Sequence, residues 1–289
     1  RFRDKGVMKD ALRAAGLPCA RHTRIRSAGD AWAFVERVGY PIVIKPPAGA
    51  GCRATLRADH PQGLVRALAE LRPSPEREAL AEEFLTGAEF SYETLTLGGE
   101  VVFESIGRYH PAPLEVMTNS WIQWVVHLPR DISGPEFDAV RAVGPRVVRA
   151  LGLDTALTHM EWFRRPDGSV AIGEIAARPP GARIVDLMGH AHGRDFYRAW
   201  ARLVVDDAVD GPFERTHSVA VAFLRGAGTG RVAAVEGLEA AQRKMGALVV
   251  DKQLPRIGAP RADGYEGEGW VIVKHEDDEV VRRAVMDLI

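Results

Sequence analysis

Apolar residues in the first 75 positions recur either at helical spacing or in short runs bounded by proline and glycine. Apolar residues at i, i+3 and i+4 predict amphipathic helices, and short β-branched runs predict buried strands. The spacing of Ser27 and Asp30 is typical of a capping box, in which two side chains cap the start of a helix. In chain order, this region predicts a helix over 4–15, a strand over 20–25, a helix over 28–38, a strand over 40–45 and a helix over 62–71.

From residue 80 the apolar pattern changes to a period of two, which is typical of strands. Three consecutive strands predict an antiparallel meander, and later helices give the whole chain an α+β character. Beyond Pro212 the composition shifts to short strands and glycines, which predicts a separate small C-terminal lobe. The elements predicted here are strands over 80–85, 89–97 and 101–106, a helix over 135–150 bent near Pro145, a hairpin over 157–175, and helices over 194–205 and 276–288.

Length and charge narrow the classes of function. The 289 residues predict two compact units or one large α/β body with a lobe. A total of 38 Lys+Arg against 39 Asp+Glu gives a net charge of −1, which argues against nucleic-acid coating. The apolar runs are too short to span a membrane, no signal peptide opens the chain, and Cys19 and Cys52 lack zinc-ligand spacing. We therefore expect a cytoplasmic protein without a nucleic-acid or membrane partner.

Lysine is scarce in this chain, so each lysine attracts attention. Only six lysines stand beside 32 arginines. Lys45 ends an apolar strand and precedes a loop with Gly49 and Gly51, an arrangement that can place an ammonium and backbone N–H groups around phosphate oxygens. The loop is not a Walker A motif, because the lysine precedes the glycines. A surface lysine beside a β-turn is the alternative.

The segment 82–89 is a second candidate, for a nucleoside. An extended backbone such as that around Glu82, Glu83 and Leu85 can imitate a base pair for adenine, and a following carboxylate, Glu89, can accept hydrogen bonds from ribose hydroxyls. A charged edge strand is the alternative.

Two carboxylates flank a predicted hairpin turn and form a candidate metal site. Glu161 and Glu174 offer the oxygen ligands that a hard dication prefers, and Arg178 follows with a fork suited to phosphoryl oxygens. His159 precedes Glu161 by two residues and is either a packed strand histidine or a contact of the bound nucleotide. Solvated glutamates and a surface arginine are the alternative.

The register of this hairpin follows from the loop length. A two-residue type I′ loop at Asp167-Gly168 places Glu161 directly opposite Glu174 on one face, and we predict this register with a cation between the carboxylates. A three-residue loop that begins at Pro166 shifts the pairing by one residue and, without a compensating bulge, places the two carboxylates on opposite faces.

Taken in order, these motifs resemble the ATP-grasp superfamily of ligases, in particular its carboxylate–amine ligase branch near the biotin carboxylase-like and amino-acid ligase proteins. The resemblance spans about residues 1–190. The segments that carry it are Asp4-Lys5 with Met8, Tyr40 to Pro46 with the Gly loop, Glu82 to Glu89, and His159 to Gly181.

The resemblance implies an ATP-grasp fold, in which two α/β lobes clamp ATP, with a small C-terminal α/β lobe. It also implies that the N-terminal domain common in such ligases is absent from this sequence. The implied domains are 1–18 as the start of the core, 19–88 as a small lid subdomain with the Gly-rich loop, 89–212 as the large subdomain with the metal site, and 213–289 as the C-terminal lobe.

The resemblance also implies roles for individual residues. Lys5 and Lys45 would bind ATP phosphates, with the 49–55 loop closing over them. The backbone around Glu82, Glu83 and Leu85 would hold adenine. Further roles are Glu89 on the ribose, His159 beside the nucleotide, Arg178 with Lys45 on the transferring phosphoryl group, and Glu161 with Glu174 on Mg²⁺, as two ions or with Mn²⁺ in their place.

The implied reaction is ATP-dependent amide or peptide bond formation through an acyl phosphate, from a small carboxylate and an amine, with amino acids expected and a homodimer left open. Ala176 stands where the family usually has Asn, and Cys52 and Ala54 stand where Ser and Gly are common. Two alternatives remain: an ATP-binding regulatory protein without catalysis, and a carboxylase of the biotin carboxylase type.

Overall fold

The computed structural model describes residues 1–49, 51, 54–119 and 121–289. The chain divides into two compact units that each draw on three stretches of sequence. The first unit comprises Arg1–Ala88, Ala139–Leu153 and Met160–Ala177. The second unit comprises Glu89–Asp138, Asp154–His159 and Arg178–Ile289.

Helices and strands alternate along the chain, and 3-10 turns lie at Pro135–Phe137 and Gly246–Leu248. In chain order the helices are α1 (Lys5–Ala14), α2 (Ala28–Val38), α3 (Pro61–Leu71), α4 (Pro113–Thr118), α5 (Asp138–Ala150), α6 (Ile184–His192), α7 (Phe196–Asp206), α8 (Leu238–Met245) and α9 (Asp278–Leu288). The strands are β1 (His22–Ile25), β2 (Ile42–Lys45), β3 (Leu56–Ala58), β4 (Ala79–Glu83), β5 (Ala88–Leu97), β6 (Glu100–His110), β7 (Trp124–Leu128), β8 (Ala156–Arg164), β9 (Val170–Ala176), β10 (Ser218–Leu224), β11 (Val249–Gln253) and β12 (Gly269–His275).

The first unit contains a four-stranded antiparallel sheet with the order β1-β4-β2-β3. Ile42 and Ile44, two residues apart on β2, pack with Phe34 of α2 and Leu64 of α3 in one buried cluster, because alternate residues of a strand share a face. Helix α2 begins as predicted, since Ser27 and the Asp30 side chain form the full capping box.

The predicted meander over 80–106 is wrong at its first strand. Strand β4 lies between β1 and β2, whereas β5 and β6 pair with each other in the second unit. A period of two identifies a strand but does not name its partner, and here the chain leaves the small sheet at Glu83 before β5 begins.

The second unit is built on a sheet in which β11, β12, β10, β7, β6 and β5 are neighbours in that order. Strand β10 is apolar on both faces: Val219, Val221 and Phe223 belong to one buried cluster, and Ala220 and Ala222 belong to another. Helices α6 and α7 contribute to the first cluster, and α8 and α9 to the second. In the sequence, a strand that is buried on both faces is a continuous run of apolar residues.

The stretch 213–289, expected to form a lobe of its own, instead contributes strands to this sheet. Strand β10 pairs with β7 from Val219 opposite Leu128 to Phe223 opposite Trp124, and β12 pairs with β10 on its other side. The remaining domain boundaries proposed from the sequence stay predictions.

Helix α6 is the main element that the sequence pattern missed. Its residues Ile184, Val185, Leu187, Met188 and Ala191 are all buried, and its polar stripe is narrow, with Asp186 and His190 half-buried. A helix buried around most of its surface lacks the amphipathic period on which the prediction depended. Within the described part of the chain, no helix combines the length and apolar character needed to cross a membrane.

Candidate functional site

Lys45 and Glu82 meet on one face of the small sheet. Val43 lies opposite Glu82 in the β2–β4 pairing, so Lys45, two residues beyond Val43, shares the face of Glu82. The Lys45 Nζ lies 3.0 Å from the Glu82 Oε2. The strand therefore delivers the ammonium to the start of the Gly loop, as predicted, but pairs it with a carboxylate on the neighbouring strand.

Glu82 has a second lysine partner, Lys9 on α1. The Lys9 side chain is fully buried, its Nζ lies 3.6 Å from the Glu82 Oε1, and it donates a 2.7 Å hydrogen bond to the carbonyl oxygen of Gly173 on β9. Sequence reasoning missed Lys9. A signal was present: Lys5, Met8, Lys9 and Leu12 have the i, i+3, i+4, i+7 spacing of one helical face, and that face is buried.

Lys5 lies one turn before Lys9 on the same face of α1. Its Nζ is 3.0 Å from the Glu174 Oε1 and donates a 2.8 Å hydrogen bond to the carbonyl oxygen of Gly49. The Lys5 N–H also donates to the Pro47 carbonyl at 2.8 Å. One lysine therefore joins the start of α1, the Gly loop and the predicted metal carboxylate on β9.

We call Lys5, Lys9, Lys45, Glu82 and Glu174 the lysine cluster. Burial alone would lower the pKa of Lys45, but Glu82, Glu174 and Glu161 outweigh it and raise that pKa above its ordinary value. Burial alone would raise the pKa of Glu82, and the two lysines reverse this, so the pKa lies below its ordinary value. Burial dominates at Lys9 and lowers its pKa. Both partners of the Lys45–Glu82 pair therefore favour their charged forms.

The hairpin that presents Glu161 and Glu174 has a different turn from the predicted one. The Arg165 N–H donates to the Ser169 carbonyl at 2.8 Å, and the Gly168 N–H donates to the Arg165 carbonyl at 2.9 Å. These bonds close a three-residue loop with Gly168 in the left-handed region, at φ 81°. The two-residue type I′ loop is therefore wrong, and the pairing at the turn differs by one residue from the predicted one; the position of Glu161 relative to Glu174 further along the hairpin stays a prediction.

Further along, β9 departs from a regular strand. The N–H of Ile172 donates to the Pro18 carbonyl, and the N–H of Ile175 donates to the Met8 sulfur, so both point toward α1 and the segment that follows it. In a regular strand, N–H groups three residues apart point to opposite sides. The strand therefore accommodates an irregularity at Gly173-Glu174, of the kind that a β-bulge produces.

Because of this irregularity, the direction of Glu174 differs from the one that a regular strand continued from the turn would give it. Glu174 contacts Lys5, and both Glu161 and Glu174 act on the pKa of Lys45, so the two carboxylates lie near the same ammonium. A Mg²⁺ held between them stays a prediction. No group of three or more His, Cys, Asp or Glu side chains in the described part of the chain is arranged to hold a metal ion.

The segment predicted to bind adenine makes different contacts from those expected. Glu82 is buried within the lysine cluster, and β4 is a central strand, so the charged edge strand is wrong. The Glu83 N–H donates to the Arg21 carbonyl at 2.9 Å, and the Glu83 carboxylate pairs with the Arg21 guanidinium at 2.6 Å. Adenine recognition would thus require the Glu83 carbonyl and the Leu85 N–H, with Leu85 half-buried in the loop after β4.

The other predicted site residues fall in the second unit. The Nδ1 of His159 lies 2.8 Å from the Oε1 of Glu93, whose side chain is buried. Arg178 is exposed and donates from Nη1 to the Pro179 carbonyl at 2.8 Å. Glu89 is half-buried near the start of β5. Their roles toward a nucleotide stay predictions.

The Gly loop is described in part. Gly49 and Gly51 have φ values of 149° and 68°, and Ala54 has a φ of 54°, so the described positions favour left-handed backbone. Ala50, Cys52 and Arg53 lie outside the described residues. Cys52 in place of the family's usual residue is therefore known from the sequence alone.

Part of this chain matches a known family, and longer stretches match curated proteins. Residues 4–91 match the family described as the carbamoyl-phosphate synthase L chain, ATP binding domain. An L-arginine-specific L-amino acid ligase of Bacillus subtilis is 29% identical over 186 residues, which cover 63% of this chain and 44% of that protein. The chain spans less than two thirds of the length of the curated relatives that it matches.

Solved structures show the same fold. An L-amino acid ligase from Bacillus licheniformis superposes with a TM-score of 0.81 at 22% identity, covering 99% of this chain and 70% of that one. A carboxyaminoimidazole ribonucleotide synthase from Aspergillus clavatus, complexed with ATP, gives 0.75 at 17% identity, covering 99% and 72%. These structural likenesses confirm the ATP-grasp fold, and the family match together with the L-amino acid ligase relative bears out the resemblance to ATP-grasp carboxylate–amine ligases.

Proposed function

We propose that this chain binds ATP with Mg²⁺ and acts as a carboxylate–amine ligase, forming an amide or peptide bond through an acyl phosphate. The single observation that carries the proposal is the lysine cluster. It holds two of the predicted phosphate ligands, Lys5 and Lys45, within 3.0 Å of carboxylates, in the unit that also holds the Gly loop.

Each carboxylate of the cluster is paired with a lysine, Glu174 with Lys5 and Glu82 with both Lys9 and Lys45. Lys5 pairs with Glu174, which supports a partner exchange on binding: the ammonium would turn to a phosphate oxygen and the carboxylate to the metal. Both new contacts are charge-assisted and stronger than neutral hydrogen bonds. ATP and Mg²⁺ would then bind together more tightly than either binds alone, because each takes one partner of the same ion pair.

The donor set fits a Mg²⁺ ion that is shared with the nucleotide. Mg²⁺ is commonly bound by one or two carboxylates plus phosphates and water, so Glu161 and Glu174 near Lys45 are a sufficient protein contribution. When bound, the ion would neutralise charge on the β- and γ-phosphates. Ala176, at the end of β9, offers no further ligand from its side chain.

The proposed reaction has two steps. A carboxylate oxygen of the first substrate attacks the γ-phosphorus, the bond to the β,γ-bridging oxygen breaks, and ADP leaves. The amine of the second substrate then attacks the acyl carbon, the bond to the phosphate oxygen breaks, and the amine loses a proton. Phosphoryl transfer asks for in-line positioning and charge neutralisation, which Lys5 and Lys45 would provide, with Arg178 as the proposed third cation.

Amino acids are the proposed substrate class. Support comes from the names of two relatives, an L-arginine-specific L-amino acid ligase and an L-amino acid ligase of known structure. The larger proteins to which the chain is similar extend beyond it, so the substrates and partners of the whole protein belong to this proposal.

The test is nucleotide chromatography with a panel of substrates. The purified protein is incubated with ATP, Mg²⁺ and amino acids in pairs, and ADP, AMP and phosphate are quantified. We expect ADP and phosphate in equal amounts, dependent on both a carboxylate and an amine. AMP with pyrophosphate would overturn the acyl-phosphate route.

Two control arms separate the alternatives. ADP release that requires bicarbonate instead of an amino-acid carboxylate would identify a carboxylase of the biotin carboxylase type. Nucleotide binding without turnover under any pair of substrates would identify a regulatory ATP-binding protein. Lys45→Met serves as the inactive reference, because it removes a proposed phosphate ligand and retains side-chain length.

A further inference from the structure

We propose that Lys9 is a positioning residue of the nucleotide site: it fixes Glu82 beside Lys45 and fixes the β9 backbone beside Glu174, without contacting the nucleotide itself. The inference rests on the proposed function, since it assigns Lys9 a role toward the same site. Neither the sequence motifs nor the predicted site residues included this lysine.

The geometry puts Lys9 between the two halves of the lysine cluster. Its Nζ donates to the Gly173 carbonyl at 2.7 Å and lies 3.6 Å from the Glu82 Oε1, while the Glu82 Oε2 is 3.0 Å from Lys45. Gly173 immediately precedes Glu174, which pairs with Lys5. A single ammonium thus connects Glu82 on β4, the partner of Lys45, with β9, the strand of one proposed metal ligand.

Packing alone does not account for a lysine at this position. The neighbours of Lys9 on the buried face of α1 are Lys5, Met8 and Leu12, and the two apolar ones are essentially inaccessible. An apolar residue could fill the same space, and replacing buried ions by apolar residues is often neutral or stabilising for a fold. Desolvation is the main cost here, and it lowers the pKa of Lys9. A charge kept against that cost indicates a role for the charge.

The combined charge of Lys9, Lys45 and Glu82 indicates the role of Lys9. If Lys45 and Glu82 formed an isolated pair, their charges would cancel and leave no net attraction for phosphate. Lys9 adds a second ammonium to the same carboxylate, so the group of three carries a net positive charge. Lys9 therefore satisfies Glu82 from the buried side, and Lys45 remains able to exchange Glu82 for a phosphate oxygen.

The second contact acts on the metal side. The Lys9 ammonium holds the Gly173 carbonyl at the irregularity that re-aims Glu174. Partners that orient a metal ligand, rather than touch the metal, typically change metal affinity by about 10–100-fold when removed. Loss of the Lys9–Gly173 bond should therefore weaken the Mg²⁺-dependent part of nucleotide binding more than the Mg²⁺-independent part.

The experiment compares two variants that separate the two contacts. Lys9→Met removes both the charge and the donor, whereas Lys9→Gln removes the charge and keeps a donor for the Gly173 carbonyl. Dissociation constants for ADP and for a non-hydrolysable ATP analogue are measured by calorimetry, each with Mg²⁺ and with EDTA. Melting temperatures are measured on the same samples.

A matched control is Arg24→Met. Arg24 also joins α1 to the small sheet, through Asp4 at 2.6 Å and Glu78 at 2.8 Å, but contacts no member of the lysine cluster in the described residues. We expect it to lower the melting temperature and to leave the dissociation constants within about twofold.

Lys9→Met is expected to raise the dissociation constant for the Mg²⁺–nucleotide complex about tenfold or more and to shrink the Mg²⁺-induced gain in affinity. Lys9→Gln should retain more of that gain while still binding nucleotide more weakly than wild type in EDTA. If Lys9→Met does not fold, Lys9→Gln alone decides through the EDTA measurement.

Affinities within twofold of wild type in the folded variants would overturn the inference, as would an equal loss in Arg24→Met. These results differ from failure of the proposed function, in which the wild-type protein itself would bind no adenine nucleotide; that outcome would overturn both. Loss of stability without a change in nucleotide affinity would assign Lys9 to folding alone.

Discussion

Each unit buries cationic side chains, and the groups that surround these side chains differ between the two units. In the first unit, Lys9 and Lys45 share one carboxylate, and the Glu82 Oε1 has no hydrogen bond in the described structure, only the longer ion pair at 3.6 Å. In the second unit, the Arg215 guanidinium donates to the Pro129 carbonyl at 2.6 Å and to the Ser105 hydroxyl at 2.5 Å, and its Nε lies 3.4 Å from the ring of His192.

This difference distinguishes charges that can exchange their partners for a ligand, in the lysine cluster, from a charge that stabilises the fold, at Arg215. Arg215 uses rigid neutral acceptors that no ligand would replace, and burial lowers its pKa to about 10 while Glu93, Asp278 and Glu104 act in the opposite direction. The lysine cluster uses charged carboxylates, and Glu82 is shared unequally between Lys45 at 3.0 Å and Lys9 at 3.6 Å, so a charged ligand can replace a carboxylate as the partner of a lysine. A buried carboxylate oxygen without a hydrogen bond points to ligand binding, whereas a guanidinium held by uncharged acceptors points to stability. We therefore expect substitutions in the lysine cluster to change nucleotide affinity, and substitutions at Arg215 to change the stability of the fold.

The largest effect is expected for Lys45→Met in the first unit. Loss of an ammonium that makes two charge-assisted bonds to phosphate would cost about 4 kcal/mol of binding free energy, about a thousandfold in the dissociation constant for Mg²⁺–ATP. Calorimetric titration measures it, and Lys252→Met on exposed β11 is the control. An unchanged dissociation constant would remove Lys45 from the site.

Arg215→Met should act on stability instead. The Pro129 carbonyl and the Ser105 hydroxyl would lose a charged donor, so we expect the free energy of unfolding to fall by about 3 kcal/mol. Urea denaturation monitored by tryptophan fluorescence measures the change. Arg202→Met removes exposed ion pairs with Asp206 and Asp210, and we expect it to leave the free energy of unfolding nearly unchanged. Equal losses of unfolding free energy in the two variants would contradict the stabilising role of Arg215.

The histidine beside Arg215 gives the second unit a pH dependence. Burial and the nearby Arg215 lower the pKa of His192 from 6.5 to about 4. Between those values the unfolded chain takes up a proton that the folded protein refuses, so the free energy of unfolding falls as the pH drops from 6.5 toward 4. Allowing for partial hydration, the loss is about 2 kcal/mol.

His192→Gln tests this directly, because the amide does not titrate. Denaturation of wild type and variant at pH values from 7 down to 4 should show a shallower slope for the variant. Identical slopes would mean that other groups carry the pH dependence.

The smallest effect concerns the hairpin that carries Glu161 and Glu174. Gly168 has a φ of 81° and open space where a Cβ would lie, so Gly168→Ala meets a conformational cost without a clash. We expect about 1 kcal/mol of lost stability, and less for Gly168→Asn, since Asn adopts left-handed backbone more readily. Thermal denaturation of the pair of variants makes the comparison; a larger loss for Asn would contradict the three-residue turn.

Much of the fold could be predicted from single elements. The capping box at Ser27 and Asp30, the strand that ends at Lys45 and the hairpin around Gly168 all lie where the pattern placed them. Each depends on residues within a few positions of one another. The register of that hairpin was wrong by one residue, because loop length was inferred from Asp167-Gly168 alone and the turn also takes in Pro166.

The site divides in the same way. The sequence selected Lys5, Lys45 and Glu174 because each lies in a local motif, and the structure brings these three into one cluster with Glu82. Lys9 lies in no motif. Its importance depends on the Gly173 carbonyl, 164 residues away, and no local pattern reports a contact at that separation.

The sequence by itself determined many of the helices and strands, although not α6. It also determined that the Gly loop follows Lys45, and it gave the order of motifs that indicates an ATP-grasp ligase. Periodicity, capping and turn chemistry are local, so they can be read without a partner. Only the tertiary structure decided that β4 lies between β1 and β2, that Glu82 is shared by two lysines, and that β9 is irregular at Glu174. Strand order and buried ion pairs depend on which surfaces meet, and that choice minimises unpaired polar groups over the whole chain rather than within any one element.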